Sequence, residues 1–488
     1  MKNGIRYVFI VFVLVSFGLL KAQSPFVRIY PGQPSSLPNQ YVPSRPTCIE
    51  KTLDGGFLIG GGTGEPDTPG MAKMQLRKVD SQGNLIWEVK DRITFNDGIK
   101  DVIEFSGSIY TASILDAQPG ISKRNSVGET IWVKNLLANT DTCGVLSVIK
   151  STSDACLLVG GAVAACNSSV GGRVFLAKVD TSGNIIWQHT YNSQYLAVCY
   201  DLFELNDSTI FVVGTTPELV GNILESRLLL MHINLNDGNL IMQKAINELG
   251  IGFSAKRLSE KIIVVTGEIG DEAGLILVND TGKVLSVVTD SFPGFNSIVK
   301  VLSDSHYIYT LQKGYVSFVQ GNITYSPELI RIIKYNKNDL SVQSEKIFPI
   351  DTFPSSRGED MVLLDGGKLA IVFYLSSIDC PGCTGLVLLD STGCVEEWCI
   401  TDVPKIESSL IISVSPNPFE KYINVKIDDN QYSKIDLQLT DIEGRIIYQS
   451  EVTTYLEKRI DASELKPGMY FLTLLAEDKK WIKKVIKM

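Results

Sequence analysis

The chain has 488 residues, 44% hydrophobic and 20% charged, so it can bury a large core and is too apolar for a wholly disordered protein. Its net charge of −9 at pH 7 argues against nucleic acid as a partner, because phosphate binding requires a surplus of lysine and arginine. The length is typical of two or three domains.

The N-terminus has the pattern of an export signal. Lys2 and Arg6 precede an apolar run from Val8 to Leu20, and cleavage is predicted after Ala22. At about 1.5 Å per residue this run is too short for a hydrocarbon core of roughly 30 Å. We therefore expect a signal peptide at 1–22, with an uncleaved anchor as the alternative, and no transmembrane segment after cleavage. A proline-rich segment, 23–45, follows.

A short motif recurs along the next 350 or so residues. In KVDTSGNIIW, residues 178–187, Asp180 can accept hydrogen bonds from the turn backbone, and Gly183 can adopt the left-handed conformation that closes a hairpin. Exact or looser copies recur at intervals of 45 to 56 residues. They lie at or close to Asp80, Asn125, Asp180, Asn234, Asn279, Lys334 and Asp390.

Each copy of the motif belongs to a unit of four short apolar strands. DGGFLIGGG at 54–62 and SDACLLVGG at 153–161 are examples of the strand that comes before the turn-bearing hairpin. Four strands with this period are typical of a β-propeller, because one sheet cannot bury both faces alone and a closed ring of stacked sheets can. We therefore predict an all-β chain with a seven-bladed β-propeller at 46–402. Six or eight blades, or an array of β-sandwiches, are the alternatives.

The repeat units resemble propeller repeats of secreted proteins of the Bacteroidetes, most closely in the first and third copies. The turn and its tryptophan also resemble the tryptophan-docking motif of quinoprotein dehydrogenases. The turn here is one residue shorter, and tryptophan occupies the position in three copies only, as Trp87, Trp132 and Trp187.

The composition changes after a linker at 403–412. About seven short apolar segments with turns between them predict a small, Ig-like antiparallel β-sandwich at 413–488. Four landmarks occur in order: a PNPF motif, an acidic turn, a glycine-tyrosine strand and a lysine-rich last strand. Their residues are Pro416, Asn417, Pro418, Phe419, Asp441, Gly444, Arg445, Gly468, Tyr470, Lys483 and Lys484.

These landmarks resemble the type A C-terminal sorting domain of the type IX secretion system. The resemblance implies that the type IX machinery carries the folded protein across the outer membrane. It also implies that a sortase then cuts in the 403–412 region, and that the cargo is released or attached to surface lipopolysaccharide. The lysines have a simpler alternative explanation, since charge on an edge strand prevents aggregation.

The sequence offers little recognisable chemistry. The three histidines, His189, His232 and His306, lack metal-ligand spacing, and there is no nucleotide-binding or hydrolase motif. Neighbouring carboxylates such as Glu359 and Asp360 point to opposite faces of a strand and do not make a catalytic pair. We therefore assign no catalytic, cofactor-binding or metal-binding residue and expect no cofactor.

The nine cysteines are candidates for disulfides, because export permits oxidation. Cys48 stands alone, and the pairing within the remaining two groups is open. The second group could alternatively be a four-thiolate zinc site. The groups are Cys143, Cys156, Cys166 and Cys199, then Cys380, Cys383, Cys394 and Cys399.

Function is predicted mainly from export and the repeat. Polar or glycine-rich loops at equivalent positions of the repeat would gather on one rim as a binding face. These loops lie at 63–72, 115–122, 162–172, 215–226 and 376–385.

We expect a cell-surface or released binding or scaffold protein whose ligand is a surface glycan or a protein. The alternative is a secreted propeller enzyme: a polysaccharide hydrolase, a lyase or a quinoprotein-like oxidoreductase. Acidic, histidine or arginine side chains that converge in the central channel would favour the enzyme, and a small or apolar lining would favour binding.

Overall fold

The chain forms two compact units, Met1–Glu397 and Trp398–Met488, in a computed structural model. Among the described residues the elements are β-strands, apart from one 3-10 turn at Asp365–Gly367. The structure describes residues 25–34, 41–64, 72–91, 97–137, 141–166, 172–191, 197–221, 223–248, 250–270, 272–290, 295–315, 318–320, 323–325, 328–348, 355–376, 381–395, 411–415, 419–428, 435–441, 445–452, 457–476 and 479–487.

The first unit begins with strand β1, Phe26–Tyr30, and a short hairpin of β2, Gln33–Pro34, and β3, Tyr41–Val42. Three antiparallel sheets of four consecutive strands follow, and we call each sheet a blade. Blades 1 to 3 consist of β4 Ser44–Lys51, β5 Phe57–Gly64, β6 Ala72–Val79, β7 Leu85–Asp91; β8 Asp97–Phe105, β9 Ser108–Leu115, β10 Gln118–Arg124, β11 Thr130–Asn135; β12 Thr142–Ser151, β13 Leu157–Ala165, β14 Arg173–Val179 and β15 Ile185–Tyr191.

Blades 4 to 6 repeat this order, and blade 6 has a small extra hairpin between its second and third strands. Their strands are β16 Val198–Asn206, β17 Thr209–Val220, β18 Ile223–Asn234, β19 Leu240–Ile246; β20 Ile251–Arg257, β21 Ile262–Ile269, β22 Glu272–Asn279, β23 Val284–Asp290; β24 Phe295–Ser303, β25 Tyr307–Tyr315, the extra hairpin β26 Phe318–Gln320 and β27 Ile323–Tyr325, β28 Glu328–Asn336 and β29 Val342–Phe348.

Blade 7 takes its fourth strand from the other end of the unit. It contains β30 Ser355–Leu364, β31 Lys368–Ser376 and β32 Pro381–Leu389, and β1 pairs antiparallel with β32 from Phe26↔Leu388 to Tyr30↔Thr384. The repeat pattern gave this position to the stretch after Gly393 and placed 23–45 outside the propeller. That assignment is corrected: β31 and β1 occupy the two edges of β32, so no edge is left for a third partner.

Within the described residues, seven four-stranded sheets close into a ring. The innermost strand of each blade contacts the preceding blade, and β4 of blade 1 in turn contacts β30, β31 and β32 of blade 7. The buried apolar clusters lie between neighbouring sheets, as between blades 3 and 4, where Leu176 and Trp187 join Cys199 and Met231. The predicted all-β propeller is confirmed, and the closed ring excludes an array of separate sandwiches.

The recurring turn has the expected hydrogen bonds. Asp180 Oδ1 accepts the N–H groups of Ser182 and Asn184, each at 2.8 Å, and Gly183 has a φ of +89°. Burial slightly favours the neutral acid, but the hydrogen bonds from the turn prevail and hold the pKa of Asp180 below its ordinary value. The turns at Asp80 and Asp390 accept the equivalent backbone hydrogen bonds.

Each such turn is seated on the outermost strand of the preceding blade, which explains the repeated tryptophan. A Cβ built on Gly128 of blade 2 would lie 2.7 Å from Trp87 Cζ3 of blade 1. At Gly238 of blade 4 it would lie 2.7 Å from Trp187, whose Nε1 donates to Leu235 O at 3.1 Å.

Other residues take the tryptophan's place where the outermost strand of the preceding blade has no tryptophan. Phe26 on β1 would lie 2.5 Å from a Cβ on Gly83, and Tyr30 Oη donates to Gly83 O at 2.7 Å. The N-terminal strand therefore docks on blade 1 as Trp87 docks on blade 2.

The second unit is a β-sandwich of seven strands within its described residues. One sheet has the order β33-β34-β37 and the other β36-β35-β38-β39, and both contribute to a single apolar core. The strands are β33 Ile411–Ser415, β34 Tyr422–Asp428, β35 Ile435–Asp441, β36 Ile446–Val452, β37 Glu457–Asp461, β38 Gly468–Ala476 and β39 Lys479–Lys487. The immunoglobulin-like character of this unit stays a prediction.

The docking of turns on the preceding blade can be tested with two glycines of blade 2. Gly128 and Gly107 have φ values of +85° and +71°, so alanine at either site costs about 1–2 kcal/mol of backbone strain. An added methyl meets nothing within 4 Å at Gly107 but would collide with Trp87 at Gly128. We expect Gly128→Ala to lower the free energy of unfolding by about 1–3 kcal/mol more than Gly107→Ala.

Urea denaturation of the full chain, monitored by tryptophan fluorescence, measures this difference. Equal losses in the two variants would show that the turn and Trp87 do not depend on each other.

Candidate functional site

A β-bulge interrupts the innermost strand of every blade. In each of these strands the pairing register shifts at one equivalent position, as between Pro46 and Cys48 of β4, which leaves one extra residue. The extra residues line one cavity in the central channel, with a volume of about 120 Å³. We call them the bulge ring: Thr47, Lys100, Ser147, Tyr200, Phe253, Val299 and Glu359.

The residue after the bulge is an aspartate in blades 2, 4 and 7, and each of these carboxylates bridges two blades. Oδ2 of Asp101 accepts the N–H of Ile149 in the next blade at 2.9 Å. Asp201 and Asp360 do the same for Ala255 and Ile49, each at 3.0 Å. The other oxygen of each aspartate accepts the N–H of the residue that follows it. These side chains therefore hold the innermost strands together.

Two lysines neutralise part of this acidic charge. Lys300 Nζ lies 2.8 Å from Asp360, and Lys150 Nζ lies 3.3 Å from Asp101. Burial opposes both ammonium charges, but the nearby aspartates outweigh it and hold the pKa of each lysine above its ordinary value. Both lysines therefore stay charged within the channel.

Glu50 on β4, close to these lysines, has a raised pKa. Burial raises its pKa from 4.5 to about 7, Asp101 and Asp360 act in the same direction, and Lys150 and Lys300 oppose them. A carboxyl group with this pKa changes charge in the range where proton-transferring residues operate.

None of these channel residues was predicted as a site. A repeated signal was present, because an aspartate directly precedes the apolar residues of the first strand at Asp101, Asp201 and Asp360. The bulge places the preceding side chain in the channel, and it has no such signature. The residue at the bulge differs in type between blades, as Thr47 and Phe253 show.

The variable loops occupy equivalent places in the blades. Those of blades 1, 2, 3, 4 and 7 each connect the second strand to the third, so the topology puts them on one rim. In blade 4 this connection is extended, since β17 and β18 each have 12 residues. Its tip exposes four large aliphatic side chains: Leu219, Val220, Ile223 and Leu224.

The cysteines divide differently from the expected groups. Cys143 and Cys166 form a disulfide with a Cα–Cα distance of 4.8 Å, which joins the start of β12 to the end of β13. Cys156 and Cys199 are buried free thiols, as is Cys48. Cys156 precedes β13 at its opposite end, so the length of the strand, roughly 25–30 Å, separates it from Cys143. Burial raises the pKa of all three thiols.

In the second cysteine group, Cys383 and Cys394 each take part in a disulfide. A cysteine in a disulfide has no thiolate to offer a zinc ion. Cys380 and Cys399 lie outside the described residues.

The histidines lie in separate places. His189 packs beside Trp187 and its Nε2 is 2.9 Å from Asp237 O, while His232 packs against Phe211. Burial lowers the pKa of His232. Within the described ranges, no three His, Cys, Asp or Glu side chains are grouped so that they could hold a metal ion. A helix of the length and apolarity needed to span a bilayer is likewise not found there.

Several landmarks of the tail support its own fold. Phe419 is fully buried in the sandwich core and its ring centroid lies 6.5 Å from that of Tyr470. Tyr470 Oη donates to Lys466 O at 2.8 Å, and Gly468 begins the same strand.

The acidic turn of the tail is held by one side-chain pair. Asp441 accepts the backbone N–H of Arg445 at 2.9 Å and its Nε at 2.7 Å. Lys483 and Lys484 lie on β39, an edge strand, so their charge has a structural reason besides recognition. Pro416, Asn417, Pro418 and Gly444 lie outside the described residues.

Comparison with known families identifies the tail. Residues 413–488 match the family described as secretion system C-terminal sorting domain. This part of the chain is a type IX sorting domain, and it indicates export across the outer membrane to the cell surface or the exterior. No curated protein matches the chain.

Two solved structures are similar to the chain at low sequence identity. The Neurospora crassa Pan2 WD40 domain has 10% identity and a TM-score of 0.38, over 59% of this chain and 88% of that one. Saccharomyces cerevisiae Sqt1 has 12% identity and a TM-score of 0.40, over 79% of this chain and 93% of that one. TM-scores this low support no inference about activity.

Glu50 predicts a specific pH dependence of stability. Between its ordinary pKa of 4.5 and its folded value of about 7, the folded chain keeps the proton that the unfolded chain has lost. The contribution of Glu50 to the free energy of unfolding therefore decreases as pH rises through this window. We expect Glu50→Gln to decline less than the wild type between about pH 5 and 7.5, and to be the more stable protein at about pH 8.

Chemical denaturation at several pH values measures both profiles. Glu260→Gln, at an exposed turn, is the control and should follow the wild type. Parallel profiles for Glu50→Gln and the wild type would contradict the raised pKa.

Proposed function

We propose that the propeller is a binding or scaffold module that works outside the cell, where its C-terminal sorting domain delivers it. Its ligand is a surface glycan or a partner protein, and the rim loops and the bulge ring are the surfaces that contact it. The disulfide between Cys143 and Cys166 fits an oxidising location and stabilises the loop-bearing rim.

The observation that carries this proposal is how the channel carboxylates are used. Converging acids would by themselves favour an enzyme, and Asp101, Asp201 and Asp360 do converge. Each of them is already bonded to backbone N–H groups of two strands, and Asp101 and Asp360 are also paired with lysines. An acid with these bonds has a structural task and little freedom to exchange protons with a substrate.

One observation favours the enzyme alternative. Glu50 has a pKa of about 7 and lies near Lys150 and Lys300, so it has the protonation behaviour of a general acid or base. A polysaccharide hydrolase or lyase would use such a group. The two functions predict different results for Glu50→Gln. An enzyme would lose turnover of its glycan, whereas a binding module has no turnover and would bind its ligand as the wild type does.

Delivery is tested at the C-terminus of the secreted protein. We expect the type IX machinery to export the chain and a sortase to cut within 403–412, so mass spectrometry of the extracellular protein should find a new C-terminus there. A chain that lacks 413–488 but keeps residues 1–22 should accumulate in the periplasm. Normal surface delivery of that truncated chain would refute the role of the tail.

Binding is tested with the full chain on a glycan array and with purified outer-membrane and extracellular proteins. We expect saturable binding to at least one ligand, without chemical change of that ligand, and equal binding by Glu50→Gln. If a glycan is instead cleaved, and Glu50→Gln loses the cleavage, the propeller is an enzyme. If nothing binds, the proposal fails.

A further inference from the structure

We propose that the bulge ring recognises a single neutral sugar ring of an extracellular glycan. The inference rests on the proposed binding function and assigns it to one cavity and one class of ligand. Four features of the cavity support it: its balanced charge, its aromatic side chains, its unpaired polar groups and its size.

The charge around the cavity is nearly balanced. Lysines and carboxylates both line it, so a strongly anionic or cationic ligand would meet as much repulsion as attraction. A neutral ligand that forms hydrogen bonds avoids this conflict. The charged lining residues are Lys100, Lys150, Lys300, Asp101, Asp201, Asp360 and Glu359.

Three neighbouring members of the bulge ring carry aromatic or aliphatic side chains. Tyr200, Phe253 and Val299 come from the consecutive blades 4, 5 and 6, and the rings of Tyr200 and Phe253 meet edge-on with centroids 5.1 Å apart. Sugar rings in the chair form have a face of C–H groups that packs on aromatic side chains, and Tyr200 and Phe253 offer such side chains.

Several polar groups of the cavity keep hydrogen-bonding capacity. Thr47 donates to Ile99 O at 2.6 Å, and Glu359 is bonded to Arg357. Lys100 Nζ, the Ser147 hydroxyl and the Tyr200 hydroxyl have no protein hydrogen-bond partner within the part of the chain that the structure describes. Three unpaired polar groups on neighbouring blades suit a ligand that carries several hydroxyls around its edge.

The size of the cavity limits the ligand to about one ring. Its volume of about 120 Å³ is well below the roughly 300–1,000 Å³ of pockets that hold drug-sized molecules. The channel would therefore bind the terminal sugar of a glycan, and the rest of the glycan would extend towards the rim loops.

The test uses the full chain and a panel of single sugars. Saturation-transfer NMR and calorimetry would be run with neutral hexoses, deoxyhexoses and N-acetylhexosamines, with glucuronate and glucosamine as charged comparisons. We expect at least one neutral sugar to bind, and its charged analogue to bind about tenfold more weakly.

Variants locate the site. Phe253→Leu, which keeps most of the apolar volume, should weaken binding about tenfold, because the flat ring that packs on the sugar is gone. Tyr200→Phe and Lys100→Met remove one hydrogen-bonding group each and should each weaken binding about three- to tenfold. Ile86→Ala, an exposed position on the perimeter of blade 1, is the control and should bind like the wild type. Thermal melting of each variant verifies that it is folded.

Two results would overturn this inference: no neutral sugar binds, or sugars bind equally well to the wild type and to all three bulge-ring variants. The second result would leave the proposed binding function intact and move the site to the rim. Failure of the full chain to bind any glycan or extracellular protein would refute the broader proposal as well.

Discussion

The propeller depends on contact between a turn and the neighbouring sheet. A glycine in the left-handed conformation lets the turn of one blade approach the ring of Trp87, Trp132 or Trp187 on the blade before it, and no side chain larger than hydrogen fits between Gly128 and Trp87. One blade cannot bury its faces alone, so this contact fixes the distance between blades and thereby the apolar layers that hold the ring together. The turn sequence is repeated because each blade has to make this contact.

Most of the fold could be predicted because the turn has a chemical signature. The aspartate accepts N–H groups of its own turn, and the glycine has a positive φ. Both requirements are local, so the turn can be recognised in the sequence by the spacing between Asp180 and Gly183. The strand that completes blade 7 could not be predicted in this way. β1 carries no turn of its own, and its partner β32 lies near the other end of the propeller.

The channel was beyond sequence reasoning for a related reason. A bulge is set by strand register and not by residue type, so Thr47, Tyr200 and Glu359 have the same role with unrelated side chains. The aspartates that follow three of the bulges are a partial exception, because a bridging carboxylate is a specific chemical need. In the tail, by contrast, the landmark residues also stabilise the sandwich, as the contact between Phe419 and Tyr470 shows. Their order along the chain could therefore be recognised in the sequence.

The pairing of β1 with β32 has a consequence for the order of folding. Strand β1 can pair only with one of the last strands of the propeller, so the ring closes through a contact between residues far apart in the chain, and such contacts form slowly. Until then blades 1 and 7 present open apolar faces, and the incomplete ring is prone to aggregate. A secretion route that accepts folded cargo would therefore favour molecules in which β1 has already paired with β32.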